Sequence, residues 1–156
     1  MKGKPEVLAL LAENLAEELC AINQYILHAE MCENWGYKKL SAIIKKQSIG
    51  EMKHAEQIIE RILFLEGMPQ MDKLSKLHIG RNVPEQIKND LALERGAVAS
   101  YNKAIEVCRK VGDNATADFF KVILQDEEEH VDLLEQQLGL IEQLGLENYL
   151  SQQLGE

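Results

Sequence analysis

Little in this chain interrupts a helix. Among 156 residues there are three prolines, and aromatic side chains make up 5%, a composition that favours helix over sheet. No apolar run is long enough for a membrane-spanning helix, so none is expected. The opening Met1-Lys2-Gly3-Lys4-Pro5 has no signal-peptide core. Cys20, Cys32 and Cys108 are an odd number without a CxxC pair, which argues against a disulfide framework and fits reduced thiols in a cytoplasmic protein. Positive charge is also scarce. The net charge of −9 disfavours a nucleic-acid partner and favours small cations.

What is present is apolar periodicity. Leu8, Leu11, Leu15, Ile22 and Ala29 mark one seam, and Ile44, Ile58 and Leu65 a second. Ile87, Leu91, Val98 and Ile105 mark a third, and Phe120, Ile123, Leu134 and Ile141 a fourth. With Pro5 as a helix opener, turns at Gly36 and Gly112, and a stop at Gly67, the expected helices span about 5–34, 38–66, 84–111 and 114–144. A short last helix is expected over 147–154, after Gly145. Residues 67–83 hold Gly67, Pro69 and Gly80 and no sustained period, so they form a connector. Extended, it reaches roughly 55 Å, enough to run the length of a bundle. The expectation is an all-α single domain over 1–156, a four-helix bundle with one long crossover and a short fifth helix.

The polar residues on those seams repeat. Glu18 on the first seam is followed by Glu51 and His54 on the second. Glu94 on the third is followed by Glu127 and His130 on the fourth, at the same intervals, so each member of the second set is offset equally from its counterpart in the first. Glu18 and His54 are equidistant in sequence from Gly36, and Glu94 and His130 are equidistant from Gly112. Antiparallel hairpins about those glycines bring all six to one height, roughly 27 Å from the turn. Four isolated buried carboxylates would cost several kcal/mol or take up protons. Two divalent cations neutralise them with both imidazoles uncharged. A Glu from each of two helices and a Glu-x-x-His from each of the other two is the ligand set of a two-metal carboxylate bundle. Residues 17–36 also align with 93–112 at Ala21, Tyr25, Glu30, Cys32 and Gly36, so the chain reads as two hairpins about a pseudo-twofold axis.

Other residues carry weaker signals. Tyr25 and Tyr101 follow Glu18 and Glu94 by two turns. Tyr25 suits either a core tyrosine with a carboxylate partner or a ligand-orienting, one-electron-donating group. Tyr101 is read as core. Asp126 precedes Glu127, where the other half has Gly50. An Asp there suits the second ring nitrogen of His54, leaving His130 without an equivalent partner and the centre asymmetric. Met52 sits about 100° around its helix from the metal face, in a second apolar stripe with Ile49, Ile59 and Leu63 that suggests a subunit interface; its thioether can also ligate haem iron. His28 and His78 lack a Glu one turn earlier and are read as non-ligands. The cysteines are read as buried fillers.

The runs LCAINQYILHAEM, ENWGYKKL, GEMKHAEQIIERILFLEGMP, LALE, DEEEHVDLLEQQLGLI and LGLENYL resemble the bacterioferritin family in order and spacing over nearly the whole chain. That resemblance implies a ferritin-like fold and a homo-oligomeric 24-subunit cage built from dimers, oxidising Fe²⁺ with O₂ or H₂O₂ and storing ferric mineral. It implies two Fe per subunit at Glu18, Glu51, His54, Glu94, Glu127 and His130, with Glu51 and Glu127 bridging. It implies haem b shared between two subunits through Met52 and its twofold mate, a ferredoxin-type reductant, and a last helix lining a fourfold axis.

Two features depart from some members. Lys46 and Gly50 stand where those have a His and an Asp of an inner-surface iron site, so that site is not expected. Leu133 stands where an aromatic occurs. The rivals are a rubrerythrin-like di-iron peroxidase, disfavoured by the missing CxxC pairs, and a DNA-protecting mini-ferritin, disfavoured by the missing basic tail. A haem-carrying structural subunit is disfavoured by the intact ligand set.

Overall fold

The computed structural model describes residues 1–155. Four long helices, α1 (Pro5–Asn34), α2 (Lys38–Phe64), α3 (Val83–Lys110) and α4 (Asn114–Leu144), are followed by the short α5 (Leu146–Ser151). None is long and apolar enough to cross a membrane. The backbones pack closely in the hairpins α1–α2 and α3–α4 and again between α1 and α3.

The helix ends follow local chemistry. Pro5 opens α1, where a missing N–H costs nothing. Gly36 and Gly112 take left-handed backbone (φ 90° and 81°), which closes α1 and α3 without Cβ strain. Asp113 caps α4 by accepting from Thr116 N–H at 3.0 Å. Five ends differ from expectation, the end of α3 (Lys110, not 111) and the start of α5 (Leu146, not 147) by one residue each. The second helix stops at Phe64 because Glu66 adopts the left-handed conformation (φ 63°); the freed Phe64 and Leu65 carbonyls accept from the Met1 amino group and Gly3 N–H. The third begins at Val83, because Asn82 accepts from Glu85 N–H at 2.9 Å as the cap. The last helix spans Leu146–Ser151 and so ends short of residue 154.

The connector climbs along α1. Gly67 abuts Leu8, Ser75 N–H donates to Cys20 Sγ at 3.0 Å, and His78 N–H donates to Gln24 Oε1 at 3.0 Å. Gly80 N–H donates to His28 Nε2 at 3.0 Å. The chain therefore leaves α2 at one end of the bundle and enters α3 at the other. Arg61, near the end of α2, donates to Thr116 Oγ1 in the first turn of α4 (3.1 and 3.0 Å), so α2 and α4 run antiparallel and α2 and α3 parallel.

The core is split. One apolar cluster gathers Leu11, Leu15, Ile58, Ile62, Phe120 and Ile123; the other gathers Leu40, Ile44, Ile87, Leu91, Leu134 and Tyr149. Each fully buried Leu or Ile contributes about 1.5–3 kcal/mol. The Glu and His repeats occupy the layer between. The periodic seams hold with local shifts: Leu8, Ile22, Val98 and Ile105 are half-buried, while Val7, Asn14 and His28 are buried. In the second stripe, Ile49, Met52 and Leu63 are exposed, whereas Ile59 is half-buried and packs on the first cluster.

A Cβ at Gly80 would lie 2.3 Å from Gln86 N and 2.6 Å from its Cα, both backbone atoms with no room to yield. Gly80→Ala should lower stability by about 1–3 kcal/mol, measured as a lower denaturant midpoint of the helical circular-dichroism signal. An unchanged midpoint would contradict this close approach.

Candidate metal centre

Each of the four long helices contributes to the polar layer from its inner face. Glu18 comes from α1, Glu51 and His54 from α2, Glu94 from α3, Glu127 and His130 from α4. The four carboxylates and His54 are buried; the His130 side chain is 18% exposed. All six predicted residues meet, in two groups. Ligand-capable atoms of Glu18, Glu51, His54 and Glu127 lie within 4.8 Å of one another, as do those of Glu51, Glu94, Glu127 and His130. Glu51 and Glu127 belong to both.

The geometry repeats about the pseudo-twofold axis. His54 Nδ1 lies 2.8 Å from Glu127, 3.3 Å from Glu51 and 3.7 Å from Glu18. His130 Nδ1 lies 2.8 Å from Glu51, 3.2 Å from Glu94 and 3.7 Å from Glu127. Each ring nitrogen thus points among three carboxylates. Tyr25 O–H donates to Glu94 and Tyr101 O–H donates to Glu18, each reaching across from α1 to α3 or back. The two tyrosines, treated differently in the sequence reading, occupy equivalent places. Burial and the facing carboxylate push both phenols well above their ordinary range, so they stay protonated and donate.

The second ring nitrogens differ. His54 Nε2 lies 2.8 Å from Asp126 Oδ2. A carboxylate only accepts, so Nε2 carries a proton, and Nδ1 is the nitrogen that would offer a lone pair to a cation once its own proton leaves. On the other side stands Gly50, where a Cβ would be 3.8 Å from His130 Nε2.

Without cations the layer is electrostatically strained. Burial, then the charge of Glu51, holds the Glu18 carboxyl well above the ordinary carboxylate range. Burial also raises Glu51 and takes Glu94 to about 8. Burial raises Glu127 too, but hydrogen bonds from Glu94, His130 and His54 outweigh it and hold that carboxyl low. Burial favours neutral imidazoles, yet the surrounding carboxylates raise His54 and take His130 to about 12. Protons therefore sit where positive charge is wanted. Glu18 Oε2 and Glu94 Oε2 are nonetheless buried without a hydrogen bond, and Glu51 Oε1 and Glu127 Oε1 meet only an imidazole Nδ1, at 2.8 Å. Four such atoms converging on two imidazole nitrogens fit a pair of divalent cations of the oxygen- and nitrogen-preferring kind.

One buried polar network escaped the sequence reading. His28, set aside as a non-ligand, is fully buried. Its Nδ1 lies 2.9 Å from Asp90 Oδ1, to which Gln24 Nε2 also donates at 2.8 Å. Since His28 Nε2 accepts from Gly80 N–H, its proton is on Nδ1. The network fixes the connector. Its sequence trace is the placement of Gln24, His28 and Asp90 on the inner faces of α1 and α3.

A ferritin-like domain model matches residues 8–144. Bacterioferritin of Mycolicibacterium paratuberculosis is 47% identical over 152 residues, covering 97% of this chain and 96% of that one. Bacterioferritin of Brucella melitensis is 44% identical over 149 residues, covering 96% and 92%. That of Streptomyces coelicolor is 44% identical over 151 residues, covering 97% and 90%. With four helices, one long crossover and relatives matched along nearly their full length, this chain belongs to the bacterioferritin family.

Proposed function

We propose that this protein is an iron-storage ferroxidase whose substrate is Fe²⁺. The reading rests on four buried glutamates whose oxygens converge with two imidazole nitrogens in two overlapping groups, the Glu18 and Glu94 Oε2 atoms lacking any hydrogen bond. Glu18 and His54 hold one iron, Glu94 and His130 the other, and Glu51 and Glu127 bridge them. Two Fe²⁺ give up two electrons, which with two protons convert O₂ to H₂O₂, or H₂O₂ to two waters. Carboxylates favour the harder Fe³⁺ over Fe²⁺ and so pull the reaction forward. Tyr25 and Tyr101 orient Glu94 and Glu18. Asp126 fixes the ring of His54, and the less restrained, partly exposed His130 lets oxidised iron pass toward a storage cavity.

Storage requires a closed assembly, and we read the exposed Ile49, Met52 and Leu63 face as part of its subunit contacts. A 24-subunit homo-oligomer in the cytoplasm is the expected form. At a twofold contact, Met52 and its mate are the residues that would hold haem b; haem supplies a route for electrons from a ferredoxin-type reductant. A rubrerythrin-like peroxidase would use the same ligand set, but it would not retain iron. Mineral co-eluting with the assembly after Fe²⁺ and air are added separates the two.

Glu18→Ala and Glu94→Ala each leave three carboxylates for two cations. Rapid Fe²⁺ oxidation should fall by about a hundredfold in either, with the assembly intact by light scattering. Wild-type rates in both would show that the ligands are misassigned.

Metal must displace protons from this centre. At pH 7 the metal-free His130 (about 12) and Glu94 (about 8) hold theirs, while the metal-bound forms do not. Binding of redox-inert Co²⁺ should release protons, and its apparent affinity should fall as pH is lowered, by about tenfold per pH unit for each proton released. Calorimetry in buffers of different ionisation enthalpy reads this directly; binding heats independent of buffer would argue against it.

Met52→Leu removes a thioether on a residue 53% exposed and outside both ligand groups. The variant should lose the haem Soret band and keep its iron oxidation rate. Undiminished haem content would place the ligand elsewhere.

A further inference from the structure

Between α1 and α3 a cavity of about 220 Å³ reaches from the surface to the metal centre. Ser75, Lys76 and Gly96, all exposed, stand at its rim; Glu18, Glu51 and Glu127, all buried, form its floor. Glu18 Oε2, without a hydrogen bond, and Glu127 Oε1, met only by His54 Nδ1, belong to floor residues only 3% and 1% exposed. The connector supplies the outer wall and is pinned there. Ser75 N–H donates to Cys20 Sγ at 3.0 Å, and the Cys20 thiol donates back to Ser75 O at 3.5 Å.

The cavity straddles the pseudo-twofold axis. Cys20 is matched across it by Gly96, Ala21 by Ala97 and Glu51 by Glu127, each pair separated by the interval of the ligand repeat. One pair sets a carboxylate against an aliphatic side chain. Glu17 lines one wall, and its counterpart on the other is Leu93. Glu17 is outside both metal-ligating groups. Its Oε2 is buried without a hydrogen bond, and burial raises its carboxyl to about 7. Core packing does not call for an unpartnered carboxylate there, since Leu93 fills the equivalent place.

We propose that Glu17 is a relay for divalent cations, taking a hydrated Fe²⁺ inside the passage and handing it to the floor carboxylates of Glu18 and Glu127. This rests on the metal-centre reading above. A carboxylate with low-dielectric walls around it concentrates cations locally and raises their arrival rate. It adds nothing to the final affinity, because it is not among the ligands once the cation is seated. The passage opens on Glu18, Glu51 and Glu127, so the cation arrives first at the group those three residues share with His54.

The test separates rate from occupancy. Co²⁺ uptake by the assembled wild-type protein is followed by stopped-flow absorbance of its d–d bands, with Glu17→Gln beside it. Glutamine keeps the size and removes the charge. Glu17→Gln should load Co²⁺ more slowly, on the order of tenfold at low ionic strength, with the difference shrinking in salt. The final two Co²⁺ per chain and their spectrum should be unchanged. Adding Leu93→Glu to that variant should restore much of the rate from the opposite wall. Equal uptake rates in wild type and Glu17→Gln would overturn the relay, and so would a fall in Co²⁺ stoichiometry, which would make Glu17 a structural support of the centre. If wild type itself binds no Co²⁺ through Glu18 and Glu94, shown by uptake unaffected in their alanine variants, the metal-centre reading fails instead.

Discussion

Four carboxylates at one level of a helix bundle repel one another, and the rest of this fold is arranged to hold them there. The apolar core is divided so that one cluster lies on each side of the charged layer. Neither cluster can bring the carboxylates closer or let them spread without loosening its own packing, which is dense enough to resist small shifts. Within the layer each terminal glutamate is gripped by a tyrosine from the opposite hairpin. Those bonds tie α1 to α3, the pair that must stay close if both hairpins are to face one centre. Only cations satisfy the layer fully, and the metal-free protein holds protons in their place.

The two imidazoles show how small differences tune such a layer. Both insert Nδ1 among three carboxylates at similar distances, but only His54 has a carboxylate behind it. A ring held from both sides has one rotamer and one tautomer. A ring held from one side keeps a degree of freedom, and its greater exposure gives it space to use it. The difference comes from Asp126 in one hairpin and Gly50 in the other.

Much of this was legible in the sequence because it is periodic. The seams, the glycine turns and the repeat of one half in the other locate the helices and bring six ligand residues to one height. Periodicity reports which face a residue occupies, not which residue it meets. The network of Gln24, His28 and Asp90 joins α1 to α3, positions far apart in the chain, so a rule asking only for a Glu one turn before each His passed over His28. The equivalence of Tyr25 and Tyr101 was hidden likewise, since each partner lies on another helix. The end of α2 was misplaced because a glutamate, not the following glycine, takes the left-handed turn. The amino-terminal residues that satisfy the carbonyls there are far away in sequence.

The connector does more than span a distance. Two identical hairpins could meet about a true twofold axis and build the same six-ligand layer as a pair of separate chains. In such a pair every substitution appears on both sides, so the two metal positions remain copies of each other. Joining the hairpins into one chain, and lashing the join along α1, frees each half to change alone. Asp126 against Gly50 and Glu17 against Leu93 are changes of that kind. A covalent link that adds nothing to the charged layer is what permits one half of that layer to become unlike the other.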